Sequence, residues 1–140
     1  MTKHIEKELR EIFPVLLRQD ESKWPYDMFG IECGDGWSNL LLETFIRVKK
    51  VLNINEVSLK AFKVHQIKEK FGGLRLYFGI NYSEENYDVY DLIEAIIDDA
   101  ENKSFMICER CGNPANTQKI DGWIYTYCNE CINLQIGEKK

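Results

Sequence analysis

The sequence predicts an α+β fold: an antiparallel β-hairpin or sheet packed with about three helices, carrying a zinc ribbon at its C-terminal end. Three observations lead there. Apolar residues recur at helical spacing in three separate stretches, a pair of glycines divides two extended runs, and four cysteines fall in two C-x-x-C pairs near the end of the chain. The helices flank the hairpin and do not alternate with parallel strands, which favours helices on one face of an antiparallel sheet. With 140 residues, 44% of them hydrophobic, the chain is long and apolar enough for one packed core with a small appendage. We divide it into a core over 1–104, a ribbon module over 105–134 and a frayed tail over 135–140.

The first helix is read within residues 2–17, where Ile5, Leu9, Ile12, Phe13, Leu16 and Leu17 repeat at helical spacing. Thr2 is its expected N-cap, and Pro14 should kink it or end its regular part. Residues 18–36 read as irregular and lead into Gly30-Ile31-Glu32-Cys33-Gly34-Asp35-Gly36-Trp37. A second helix follows with Trp37, Leu41, Phe45, Val48 and Leu52 on one face, and Asp35 or Ser38 as its cap.

Residues 61–80 form the clearest hairpin, with Gly72 and Gly73 as the expected turn pair and Phe71 opposite Leu74. That register puts Phe71, Ile67, Leu74, Leu76, Phe78, Ile80, His65 and Glu69 on one face, and Gln66, Lys68, Lys70, Arg75, Tyr77 and Gly79 on the other. A third helix is expected from about Glu84 to Asn102, capped by Ser83. Its buried stripe is Val89, Ile93, Ile96, Ile97 and Ala100, and an acidic arc including Asp88, Asp91, Glu94 and Asp98 lies opposite.

Cys108, Cys111, Cys128 and Cys131 are the candidate metal ligands. Two residues between cysteines let both sulfurs of a tight turn converge on one ion, and the sixteen residues between the pairs are enough to go out and back as a hairpin. Gly112 supplies the positive φ that such a knuckle often needs. Four thiolates fill a tetrahedral Zn²⁺ and leave no open position for catalysis. Disulfides are the competing reading. The chain shows no apolar signal segment after Met1-Thr2-Lys3-His4 and no membrane-length apolar run, so a cytoplasmic location is expected, where disulfides are disfavoured.

The formal charge is −5, and loading four thiolates with Zn²⁺ brings it to about −7, which argues against general polyanion binding. The two histidines, His4 and His65, exclude any site needing three imidazoles. Lys68, Lys70 and Arg75 beside Tyr77 could grip phosphates and stack on bases, but sheets routinely expose one polar face, and the solvated face of a sheet is the favoured reading. Glu69, placed among apolar residues with His65 nearby, could form a weak acid–base pair with it, but a satisfied structural carboxylate or a slip of register is the favoured reading. The acidic arc could imitate a nucleic-acid backbone or serve solubility. Asp35 and Trp37, in a glycine loop, are candidate contacts for a ligand. Cys33 has acidic neighbours that disfavour a reactive thiolate, so an idle, buried thiol is expected.

The runs Glu32-Cys33-Gly34-Asp35-Gly36-Trp37 and Lys68-Glu69-Lys70-Phe71-Gly72-Gly73-Leu74-Arg75, followed by Cys108-x-x-Cys111-Gly112 and Gly122-Trp123 before Cys128, resemble a family of small phage- and prophage-type zinc-ribbon proteins. The likeness extends from about residue 29 to residue 131. It implies zinc binding and phage association, and it supplies no activity and no catalytic residues. Taken together, these features lead us to expect a non-enzymatic, zinc-stabilised binding protein that interacts with or inhibits a host or defence protein. The alternative is a nucleic-acid-binding ribbon protein using the basic hairpin. Oligomeric state is left open.

Overall fold

A computed structural model describes residues 1–81 and 87–138. Helix α1 spans Lys3–Ile12 and stops before Pro14, because the residue preceding a proline is pushed out of the helical region; Phe13 sits at φ −122°, ψ 67°. Thr2 flanks the helix but makes no side-chain cap. The stretch read as irregular contains two short elements, α2 (Pro25–Phe29), with its proline in the first turn, and β1 (Ile31–Glu32). A 3-10 turn over Asp35–Trp37 leads into α3 (Ser38–Ile54). Neither Asp35 nor Ser38 caps α3: Trp37 occupies the cap position with no side-chain bond, and Asp35 Oδ1 instead accepts the Thr2 N–H at 2.7 Å.

Strands β2 (Phe62–Lys70) and β3 (Gly73–Ile80) form the hairpin, and β1 pairs parallel to β2 through Ile31↔Ile67 and Glu32↔Lys68. The sheet is therefore mixed, in the order β1-β2-β3, where a purely antiparallel one was expected. The turn pair is Phe71-Gly72, not Gly72-Gly73: φ is 53° and 81° at these two residues, and Lys70 pairs with Gly73. Two positive φ values match the primed turn that suits strand twist. Phe71 thus carries a positive φ that glycine would adopt more readily, while Gly73 lies in the strand, where a Cβ would be 2.4 Å from the Phe105 ring.

Pairing thus shifts by two residues, so most side chains keep their predicted faces. His65 does not. A bulge between Val64 and Gln66 puts Val64 into the core and turns His65 onto the open face, against Trp24.

Helix α4 (Tyr87–Ser104) buries Val89, Ile93, Ile96, Ile97 and Ala100, the predicted stripe. The proposed start at Glu84 and cap at Ser83 lie outside the described residues. Side chains from α4 also close part of the edge of β3. Ser104 Oγ accepts the Leu74 N–H at 2.8 Å, and Glu101 Oε2 accepts the Leu76 N–H at 3.0 Å. Edge amides satisfied by side chains offer no template to another strand.

One apolar cluster joins all these elements, from Leu9 and Phe13 through Phe45, Phe62 and Ile67 to Ile97. Beyond it, β4 (Asn116–Ile120) and β5 (Trp123–Tyr127) form a second hairpin between the cysteine pairs, and α5 (Asn129–Glu138) follows. The expected frayed tail is helical as far as Glu138. No helix among the described residues is long and apolar enough to cross a membrane.

Candidate metal centre

The four cysteines converge. Their sulfurs all lie within 4.8 Å of one another, and Cys111 and Cys128 stand 3.5 Å apart with no disulfide. Tetrahedral sulfurs held by bonds of about 2.3 Å would be separated by about 3.8 Å, so this donor set fits one thiophilic ion. Local backbone bonds form the knuckle. The Gly112 N–H donates to Cys108 O at 2.9 Å with φ at +82°, and the Cys108 N–H donates to Asn113 O at 2.7 Å. In the second pair the Ile132 N–H reaches Cys128 O at 2.9 Å, placing Cys131 in the first turn of α5.

The thiols of the cluster do not ionise alike. Burial works against a thiolate at Cys108, but backbone N–H groups of Cys128, Cys111 and Arg110 outweigh it and bring the thiol down to about 7. Burial first, and then the neighbouring thiols, push Cys131 up. Four mutually repelling sulfurs ionise together only when a metal compensates their charge.

Both glycine motifs dock this centre onto the core. The Gly36 N–H donates to Glu109 O at 2.7 Å, and the Gly34 N–H to Glu109 Oε2 at 2.9 Å. A Cβ at Gly36 would lie 2.0 Å from Cys108 O, and one at Gly34 would lie 2.3 Å from Glu109 O. Only glycine permits backbone to approach the first knuckle this closely. Trp37, proposed from sequence as a ligand contact, is wholly buried, and its Nε1–H donates to Ile107 O at 2.8 Å. Asp35 is tied to Thr2 and is only partly exposed.

The hairpin turn supplies the second contact. Thr126 Oγ1 donates to Gly72 O at 2.6 Å and bonds Thr117 at 2.9 Å, while Phe105 fills the space beside Gly73. Glu69 Oε2 accepts the Gly72 N–H at 2.7 Å and so closes the turn; it faces no histidine. Glu109, between the two cysteines of the first pair, docks the knuckle on the glycine loop, a role that cysteine spacing does not reveal. Burial, with help from Glu69, pushes its carboxyl up, opposed by the Gly34 N–H. Nothing local in the sequence marks it, since its partner is 75 residues away.

The remaining candidates lie apart from the metal centre. Lys68, Arg75 and Tyr77 share the open face of the sheet, with Lys68 Nζ 6.0 Å from the Tyr77 ring centroid, and Lys70 stands over Phe71. Asp88, Asp91, Glu94 and Asp98 are all exposed on α4. Cys33 is buried in the core, and burial pushes its thiol up to about 12, which makes it inert. Among the described residues His4 pairs only with the exposed Glu8. The period-two run Trp123, Tyr125, Tyr127 on one side of β5 signals an aromatic row that was not singled out from sequence; Tyr125 and Tyr127 stack at 4.9 Å.

Set against known protein families, curated proteins and solved structures, the chain matches none.

Proposed function

We propose that the chain is a non-enzymatic, zinc-stabilised binding protein of phage or mobile-element type, acting in the cytoplasm on a host or defence protein. The observation that carries this reading is the outward face of α4. Asp88, Asp91, Glu94 and Asp98 are exposed there and make no side-chain hydrogen bond or ion pair among the described residues, and Leu92 stands 48% exposed between them. On the same helix Asp99 is held by Arg47 and Lys103, and Glu101 by the β3 backbone. Carboxylates without a structural task around an exposed leucine suit a basic, partly apolar partner surface.

The partly buried carboxylates support a non-catalytic role. Glu6, Glu69, Glu101 and Glu109 each accept a backbone N–H, from Ile31, Gly72, Leu76 and Gly34 respectively. Groups occupied in this way are poor proton shuttles. A saturated four-thiolate zinc likewise has no open position.

The test is affinity capture with the native protein, with an Asp91→Asn/Glu94→Gln/Asp98→Asn variant and with a Lys68→Gln/Lys70→Gln variant. A stoichiometric protein retained by the native chain and the lysine variant, and lost by the acidic-face variant, is the expected result. No stoichiometric partner, together with turnover of a substrate, would overturn the reading.

A second reading, nucleic-acid binding on the hairpin, draws support from Lys68, Lys70 and Arg75, which form no ion pair among the described residues. It requires affinity that falls steeply with salt and weakens when all three are changed to Ala.

A further inference from the structure

The bulge in β2 that seats Val64 in the core also builds a feature on the open face of the sheet. By turning His65 outward it lays the imidazole over Gly79, where a Cβ would lie 2.7 Å from the ring. Trp24 then stacks on His65 with ring centroids 3.6 Å apart and planes 11° from parallel. The backbone of β3, the imidazole and the indole form a pile rising from the open face of the sheet. Glycine inside a strand costs stability, and a bulge disrupts its ladder, so both commonly mark a built feature. Trp24 nevertheless remains 44% exposed and Tyr77 45% exposed, so two large rings stand open to solvent at one groove.

Between them lies a groove of about 460 Å³ lined by Trp24, Pro25, His65, Gln66, Lys68 and Tyr77. Gln66 and Tyr77 are cross-strand partners, so an amide with both donor and acceptor capacity sits beside an aromatic ring. Lys68 follows on the same face. Glu32 is its neighbour on β1, yet no ion pair forms between them. Lys63 is different: it is committed to Asp20 and Asp27. Arg75, opposite Lys68, lies close enough to Glu101 to act on its carboxyl, which leaves Lys68 as the cation at the groove. The surface thus offers flat aromatic walls, an amide that can bond a ring edge in either sense, and one ammonium for an anion.

We propose that this groove binds a nucleotide unit, its base against Trp24 and Tyr77 and its phosphate at Lys68. The proposal rests on the second reading above and narrows it from a charged face to one stacking site. Base-on-aromatic stacking tolerates any base, and a lysine contributes mainly charge, so one unit of a single strand and a free mononucleotide present the same chemistry.

The experiment measures binding of a short oligo(dT) and of AMP to the metal-loaded full chain at low ionic strength. Tyr77→Leu removes the flat ring and keeps apolar bulk, Lys68→Gln removes the charge, and Lys49→Gln on the far side serves as control. Folding of each variant is checked by its thermal midpoint. Tyr77→Leu is expected to weaken binding about tenfold. Lys68→Gln should weaken it and reduce the salt slope by about one. Lys49→Gln should change neither. Binding of AMP with this dependence assigns the site to free nucleotides, and binding of the oligonucleotide alone assigns it to single strands; both support the proposal. Binding of neither probe overturns it. So does binding indifferent to Tyr77→Leu and Lys68→Gln, and if Lys70→Ala and Arg75→Ala still weaken the oligonucleotide, the wider nucleic-acid reading survives while the groove falls.

Discussion

From Leu9 to Ala100 the buried apolar residues join one continuous cluster, whereas β4 exposes four of its five residues and β5 leaves Trp123 and Ile124 at the surface. Each fully buried Leu or Ile of the core contributes about 1.5–3 kcal/mol, and the second hairpin has almost none of them. A two-stranded hairpin alone is at best marginally stable in water. What it has instead are four sulfurs able to hold an ion and a few close backbone contacts at two glycine loops. The two regions thus teach different rules. Sequence changes in the core should act through packing, and changes in the cysteine module through the sulfur cluster and the fit of its knuckle.

The largest effect that separates them should come from the ligands. Structural zinc contributes on the order of 10–16 kcal/mol to small zinc peptides, so Cys108→Ser should abolish tight metal binding and loosen residues 105–132. Native mass spectrometry and limited proteolysis check this, with the fragment covering the core expected to stay intact. Next comes Gly36→Ala. The new methyl meets carbonyl and amide backbone of the first knuckle, at 2.0 Å from Cys108 O and 2.6 Å from Gly112 N, and neither can swing aside. Chemical denaturation should show a loss of about 3 kcal/mol or more. Gly122→Ala is the matched contrast, with nothing within 4 Å and only its φ of +85° to oppose it. It should cost about 1 kcal/mol.

The comparison is partly legible in the chain itself. Cysteine spacing works as evidence because metal geometry is imposed by neighbours in sequence, and the α4 stripe works because helical period and burial agree from Val89 to Ala100. Register was harder. The turn falls at Phe71-Gly72, and Gly73 sits in the strand against Phe105, a neighbour 32 residues downstream that no local pattern encodes. The two-residue β1 is too short to show alternation. The role of the Gly34–Trp37 loop was invisible for a related reason: its glycines are required by the backbone of Cys108 and Glu109, far along the chain. The glycine motifs could be read as informative, but not as a docking surface.

A smaller effect concerns the core alone. Burial would raise the Asp27 carboxyl, but hydrogen bonds from Lys63, Ser22 and the Asp20 N–H overcome it and hold it below the ordinary carboxylate range. A depressed folded-state value adds stability above the unfolded value, about 3.9, and that stability is lost as pH falls through the folded one. Stability of the core should therefore decline below about pH 4, and Asp27→Asn should flatten that decline. Acid also protonates thiolates and releases metal, so the measurement belongs on residues of the sheet and α3, followed by amide exchange, and not on global unfolding.

The most direct test of the difference between the regions is hydrogen exchange on the metal-loaded and metal-stripped full chain. On stripping, protection should fall at Cys108, Glu109 and Gly112 and at Gly34 and Gly36, whose amides bond to the knuckle, while Ile67, Leu74 and Leu76 remain protected. Unchanged protection of the knuckle amides after the metal is gone would contradict a metal-held module keyed into an independently packed core.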